Sequence, residues 1–229
     1  SGKTHLLNEY IKFLRNKGVE IGITASTGIA ATHMGGTTIH SWSGLGVKDD
    51  ITEYDLEDFE GKKYLYDRFK NTEVLIIDEI SMLHHFRLDL VEKIARHLKR
   101  NQLPFGGMQV ILCGDFFQLP PVSRTGEPES HFSYKSETWK KLNLKICYLE
   151  EQYKHKDQKI IQILNGIRSN NLNEDALYCL KSRDGASINC SIEPTKLHTH
   201  NIDVDNINDK ELNKLPGQLY SFKMEDKGR

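Results

Sequence analysis

The chain opens "SGKTHLLNEY", and Gly2-Lys3-Thr4 has the form of the closing half of a phosphate-binding loop. In a complete G-x-x-x-x-G-K-[ST] loop, backbone N–H groups surround the phosphates. The lysine reaches the β and γ phosphates, and the hydroxyl ligates Mg²⁺. An apolar-periodic helix begins at once, as an anion site at a helix N-terminus requires. The preceding glycines are absent, so the triplet alone reads more readily as a capped helix start with a solvated lysine. Residues 74–79, "VLIIDE", change the balance. Four apolar residues deliver Asp78 and Glu79 to the carboxyl end of a buried strand, where the metal and attacking water of an ATPase must sit. Asp78 suits a Mg²⁺ ion or its water, and Glu79 suits a general base. Two solvated acids at a strand end are the plainer alternative. The order of the two features, separated by a βαβ-length stretch, favours nucleotide hydrolysis.

Two further stretches carry chemistry. In "GDFFQLPPV" (114–122), Gln118 is a neutral amide that hydrogen-bonds both a phosphate and a water. Leu119-Pro120-Pro121 stiffens the loop that carries it. Such a loop transmits nucleotide state to a neighbouring surface, or is simply a proline-stiffened connection. In "ASTGIAATHMGGTTIHSWS" (25–43), hydroxyls, glycine backbone and His40 surround Trp42. Hydroxyls and backbone N–H groups hold single-strand phosphates with little added charge, and an aromatic stacks a base for ~1–3 kcal/mol. A capped turn and a core tryptophan are the alternative.

Bulk properties bound these readings. The 229 residues suit one large α/β unit, or one core plus part of a second. A hydrophobic content of 38% and a charged content of 28% describe a soluble globular chain. The net charge of −1 excludes a whole-molecule field for nucleic acid, so such a site would be local. Cys113, Cys147, Cys179 and Cys190 form no C-x-x-C pair and read as reduced thiols. Cys179, Cys190, His198 and His200 fit no common zinc spacing. No apolar run approaches the ~20 residues needed to cross a bilayer.

The elements that must position the chemistry follow from periodicity. Residues 4–17 predict a helix in which Leu6, Leu7, Tyr10, Ile11 and Leu14 recur at helical spacing, with Gly18 as its stop. Strands are expected at 19–26, 73–78, 108–114 and 142–150, with a short one at 195–200. The run at 73–78 lacks polar alternation, as in a parallel sheet covered on both faces. Helices are expected from Gly28 to His33 and over 86–100 and 158–168, with a turn at 104–107. The acidic stretch 49–60 reads as a surface insertion between core strands. Alternating strands and helices imply a doubly wound α/β fold, with ligands at the carboxyl ends of the strands. A domain boundary is expected near 149–156.

Taken in order, "SGKT", "STGIAATHMGGTTIHSWSG", "VLIIDEISML", "GGMQVILCGDFFQLPPV" and "YLEEQYKHKDQKIIQILNGIRSN" resemble the Pif-one (petite integration frequency) family of DNA helicases, superfamily one, type B. The similarity runs over nearly the whole chain, and "TGIAA…GGTTIHS" with "GDFFQLPPV" is its most specific part. The resemblance implies an α/β, RecA-like phosphate-loop NTPase core. Residues 1–43 and 69–148 would form a first lobe, 44–68 a small inserted subdomain, and 149–229 the start of a second lobe. It implies ATP and Mg²⁺ as cofactors. It also implies 5′ to 3′ movement on single-stranded DNA and unwinding of duplex junctions or G-quadruplexes, in repair, recombination and telomere maintenance. Gly2, Lys3 and Thr4 match the phosphate and Mg²⁺ positions, Asp78 and Glu79 the Mg²⁺ and base pair, and Gln118 the γ-phosphate sensor. Thr27, Gly28, Gly36, Thr37 and His40 match the strand-holding segment. A monomer without membrane attachment is expected, in the cytoplasm of a bacterium or the nucleus or mitochondrion of a eukaryote.

The chain departs from the family in three places. Lys154, in Tyr153-Lys154-His155, stands where the family usually has an arginine that reaches the γ-phosphate; lysine keeps the charge and loses the planar fork. The phosphate loop is expected to be cut at the start of the chain, and the second lobe at its end. A piece with these bounds is expected to bind nucleotide weakly and unwind little. A catalytically inactive nucleic-acid-binding module is therefore the alternative function. A phosphate-loop NTPase without a DNA role is a third, which "TTIHS" and "QLPPV" argue against.

Overall fold

A run of five consecutive buried residues, Val74 to Asp78, forms the central strand of the sheet. The computed structural model describes residues 2–122, 131–149, 157–186, 195–198, 201–218 and 220–222. The elements of its first part are α1 (Lys3–Asn16), β1 (Ile21–Ala25), α2 (Gly28–His33), β2 (Thr37–Thr38), α3 (Ile39–Ser43), α4 (Glu53–Gly61), α5 (Lys63–Asn71), β3 (Val74–Asp78), α6 (His85–Lys99), β4 (Gln109–Leu112), α7 (Glu137–Lys141) and α8 (Gln158–Arg168). The sheet is parallel, in the order β2-β1-β3-β4. An α/β core with a parallel sheet is thus the fold found.

Because side chains alternate across a strand, β3 feeds two cores at once. Leu75 and Ile77 pack with α3, α4, α5 and α6 through Trp42, Phe59, Phe69 and Leu88. Val74 and Ile76 pack with Leu7, Ile11 and Leu14 of α1 and Ala31 of α2. Both faces are covered by helices, which is why the strand reads as an unbroken apolar run.

The acidic insertion is a pair of helices, α4 and α5, that contributes Leu56, Phe59, Leu65 and Phe69 to the core. Thr52 and Asp55 form a capping box that starts α4. The insertion's acids meet cations of α6 and the residue after it. Glu60 lies 2.5 Å from Arg100, and Lys93 lies 3.3 Å from Glu53. Lys99 donates to the carbonyls of Phe69, Lys70 and Thr72, closing the end of α5.

Two expected strands do not form. Residues 142–149 carry no ladder, and Ile146 and Tyr148 are exposed rather than buried; Glu150 lies outside the described residues. An apolar run becomes a strand only where a sheet edge accepts its backbone and a face covers its side chains, and the described residues supply neither here. Residues 195–198 are likewise irregular, and 199–200 lie outside the described residues. The helix over 158–168 does form as α8, capped by Asp157. Its stripe of Ile160, Leu164 and Ile167 is exposed.

The chain divides into two compact units, Ser1–Asn173 and Glu174–Arg229. The second contains α9 (Glu174–Lys181) and α10 (Asn201–Leu212). No helix among the described residues is long and apolar enough to cross a membrane.

Candidate active site

Strand register brings the chemical residues to one edge of the sheet. Ala25 pairs with Asp78, and Ile77 with Leu112, so residues 26–28, 78–79 and 113–115 emerge side by side at the carboxyl ends of β1, β3 and β4. Asp78 is 3% exposed. Its Oδ1 accepts from the Glu79 N–H at 2.8 Å, which fixes the carboxylate against its own turn.

Glu79 adopts the left-handed conformation (φ 51°, ψ 43°). That costs a residue with a side chain about 1–3 kcal/mol and persists only where its surroundings impose it. Ser26 imposes it from β1: its N–H donates to the Asp78 carbonyl at 3.1 Å and its hydroxyl to the Glu79 carbonyl at 2.8 Å. From the other side, the Ile80 N–H donates to the Cys113 carbonyl at 2.9 Å. A Cβ on Gly114 would fall 2.8 Å from Ile80 Cγ2 and 3.0 Å from the Ile80 nitrogen, so glycine is required where the two loops cross.

The Cys113 thiol lies among the candidate groups. Burial, then the charge of Asp78 and a hydrogen bond to it, push the thiol up to about 12; Lys3 opposes the shift and Glu79 adds to it. Lys3 and Thr4 stand in the first turn of α1, directly after Gly2 (φ 125°), a backbone that L side chains rarely adopt.

Gln118 sits on the loop beyond β4 and is exposed. Its Nε2 donates to Asp115 Oδ2 at 3.3 Å. Asp115 Oδ1 accepts from the Phe117 N–H at 3.1 Å and from Arg168 Nη2 of α8 at 2.5 Å. Lys154 lies outside the described residues.

The segment expected to hold a DNA strand lies beside the sheet edge. Thr27 Oγ1 accepts from the Ala30 N–H and caps α2; the hydroxyl proton can still donate. A Cβ on Gly28 would meet open space, whereas one on Gly36 would fall 2.3 Å from the Ile23 carbonyl oxygen. Thr37 is exposed on β2. His40 Nε2 lies 3.1 Å from Arg87 Nη1. A guanidinium only donates, so this nitrogen accepts and the ring is neutral. Burial first, then Arg87 and His84, push His40 down to about 4. Arg87 is in turn held by Asp49 at 2.8 Å.

Trp42 decides between the two readings of its stretch. It is 5% exposed, its ring centroid is 4.6 Å from that of Phe69, and a Cβ on Gly22 would touch it at 2.7 Å. It is a core residue and offers no face to a base. Sequence reasoning gave no role to Arg87 and Arg168, read Asp115 only as part of a tight exit from its strand, and counted Ser26 only among the hydroxyls of its stretch. Only Ser26 carried a usable signal, a hydroxyl at a strand end beside the acidic pair.

The PIF1-like helicase profile matches residues 1–186. The chain belongs to the PIF1-like helicase family. It is 47% identical over 231 residues to the ATP-dependent DNA helicase Pif1 of Psychrobacter sp. (strain PRwf-1), covering 97% of this chain and 35% of that protein. It is 41% identical over 231 residues to the ATP-dependent DNA helicase RRM3 of Saccharomyces cerevisiae, covering 99% and 32%. Among solved structures, it resembles the Pif1 helicase of Candida albicans with a TM-score of 0.84 at 38% identity, over 94% of this chain and 49% of that one. A Bacteroides Pif1 helicase in complex with ADP-AlF3 and single-stranded DNA gives a TM-score of 0.78 at 32% identity, over 95% and 52%. The chain thus spans 35% and 32% of the lengths of these two curated relatives. The RecA-like α/β core of PIF1-like helicases is the fold expected from the sequence.

Proposed function

We propose that this chain carries the nucleotide-hydrolysing part of an ATP-dependent, 5′ to 3′ DNA helicase. The carrying observation is the buried Asp78 followed by a left-handed Glu79 at the carboxyl end of the central strand, where the loops after β1 and β4 also emerge. Lys3 and the first N–H groups of α1 bind the β and γ phosphates of ATP. Glu79 orients a water and takes its proton as the water oxygen attacks the γ phosphorus and the bond to ADP breaks. Gln118 meets the γ-phosphate and reports its presence through the stiff loop 119–121.

The donor set fits Mg²⁺. Asp78 is a buried, hard carboxylate, and Thr4 offers a hydroxyl at the α1 N-terminus. When bound, Mg²⁺ supplies charge neutralisation across the β and γ phosphates.

In this reading residues 1–43 and 69–148 belong to the first lobe, 44–68 to an inserted subdomain and 149–229 to a second lobe. Thr27, Gly28, Gly36, Thr37 and His40 hold single-stranded DNA, and duplex junctions or G-quadruplexes are the structures unwound. The protein acts as a monomer inside the cell. Pif1 homologues named as ATP-dependent DNA helicases support the helicase part of this reading, and the Bacteroides Pif1 complex with ADP-AlF3 and single-stranded DNA supports its nucleotide and single-strand ligands.

The test is ATP hydrolysis by the full-length protein that carries this chain, with and without single-stranded DNA. Stimulation by DNA is expected, together with its loss in Lys3→Ala. Glu79→Gln should keep nucleotide binding and lose turnover. Absence of DNA stimulation sinks the reading. Lys154, standing in place of an arginine, motivates a second one: a binding module that holds DNA in a salt-sensitive way without turnover, even after Lys154→Arg. Steady-state hydrolysis removes it.

A further inference from the structure

Asp115 is the meeting point of four groups. Its Oδ1 accepts from the Phe117 N–H at 3.1 Å and from Arg168 Nη2 at 2.5 Å. Its Oδ2 accepts from Gln118 Nε2 at 3.3 Å, and its carbonyl accepts from the Gln118 N–H at 2.9 Å. The Arg168 guanidinium also lies over the Phe117 ring, 4.9 Å from its centroid. Arg168 comes from the last turn of α8, 53 residues along the chain.

We propose that Arg168 is a positioning residue for Gln118, acting through Asp115. An exposed glutamine samples many rotamers, and a lone exposed carboxylate turns freely about its last torsion. Here Oδ1 is pinned from two directions, so Oδ2 is left facing Gln118. A carboxylate only accepts, so the atom of the Gln118 amide that faces it is the nitrogen. The amide oxygen is thereby turned away from Asp115, as an acceptor for a water, while the second N–H remains to donate to a phosphate oxygen. Burial works to raise the Asp115 carboxyl, yet Arg168, the Phe117 N–H and Gln118 hold it below its ordinary value, which keeps it the acceptor this arrangement needs. The ring of Phe117 fixes the plane of the guanidinium, which a lysine would not allow.

The consequence for turnover rests on the proposed role of Gln118; the geometric claim does not. The test uses the full-length protein with DNA-stimulated ATP hydrolysis and crystal structures as separate readouts. Arg168→Ala should lower kcat by about ten- to a hundredfold, as misplaced catalytic groups do, and leave KM for ATP within about twofold. Arg168→Lys should recover part of the loss. In a Gln118→Ala background, Arg168→Ala should add nothing further. An equal further loss in that background overturns the proposal, because Arg168 would then act elsewhere. In crystals of Arg168→Ala, the Gln118 amide should leave Asp115; an amide that stays in place overturns it as well. If Gln118→Ala alone leaves kcat unchanged, the reading of Gln118 in turnover fails, and the crystal comparison still decides the positioning claim.

Discussion

His40 shows how a single side chain is given its state by its neighbours. Burial, Arg87 and His84 push it down to about 4, from an ordinary value of 6.5. The folded form therefore holds the neutral ring, and the unfolded chain takes up a proton first as pH falls. The stability this contributes is present above pH 6.5 and is lost as pH falls towards 4. Partial exposure limits the effect to about 2 kcal/mol. Chemical denaturation at pH 7 and at pH 4.5 should show that difference, and His40→Gln should remove it. An unchanged pH profile in the variant would place the loss elsewhere. Glu79 carries the complementary lesson. Its backbone is strained because Ser26 and Cys113 hold its flanks.

At the scale of elements, close approach decides more than side-chain chemistry. Gly36 lies between α2 and β2, where its N–H donates to the Ala31 carbonyl. A Cβ there would stand 2.3 Å from the Ile23 carbonyl oxygen, which is backbone of β1 and does not swing aside. Gly36→Ala should therefore destabilise the fold by about 1–3 kcal/mol or more and loosen β2 from β1. A thermal melt reads the first effect, and hydrogen exchange of the Thr37 and Thr38 amides the second. Gly28→Ala, where added bulk meets open space, is the control and should melt within a degree or two of the wild type. The α4–α5 pair shows the same priority of packing. Its acids face cations on and next to α6 while Phe59 and Phe69 fill the core.

For the whole molecule, charge sets how DNA would be held. The net charge is −1, and acids of the insertion are paired internally, so attraction to phosphates must be local. Thr37, exposed on β2, donates its hydroxyl to the Thr38 carbonyl at 3.2 Å, a long local bond that a DNA phosphate would exchange for its own. Thr37→Ala should weaken single-stranded DNA binding by about three- to tenfold, the worth of one hydrogen bond. It should leave the slope of log K against log salt unchanged, because a neutral donor releases no counterion. A change of slope by about 0.7 would mean a phosphate-neutralising contact was lost with it.

Much of this protein was legible before any fold was known. The helix after Gly2, the apolar run ending in Asp78-Glu79, and the stiff loop bearing Gln118 each carry a local signal. Periodicity, hydrophobic continuity and proline or glycine chemistry act within a few residues, so sequence by itself determined the core elements α1, α2, β1, β3, α6, β4 and α8 and the nucleotide-site candidates. It could not show that Trp42 is core, that 142–149 lacks a ladder, or that Asp115 is shared by Gln118 and Arg168. Those outcomes depend on which distant surfaces meet. Strand register and helix packing decide that, and neither leaves a mark on the short stretches that are brought together.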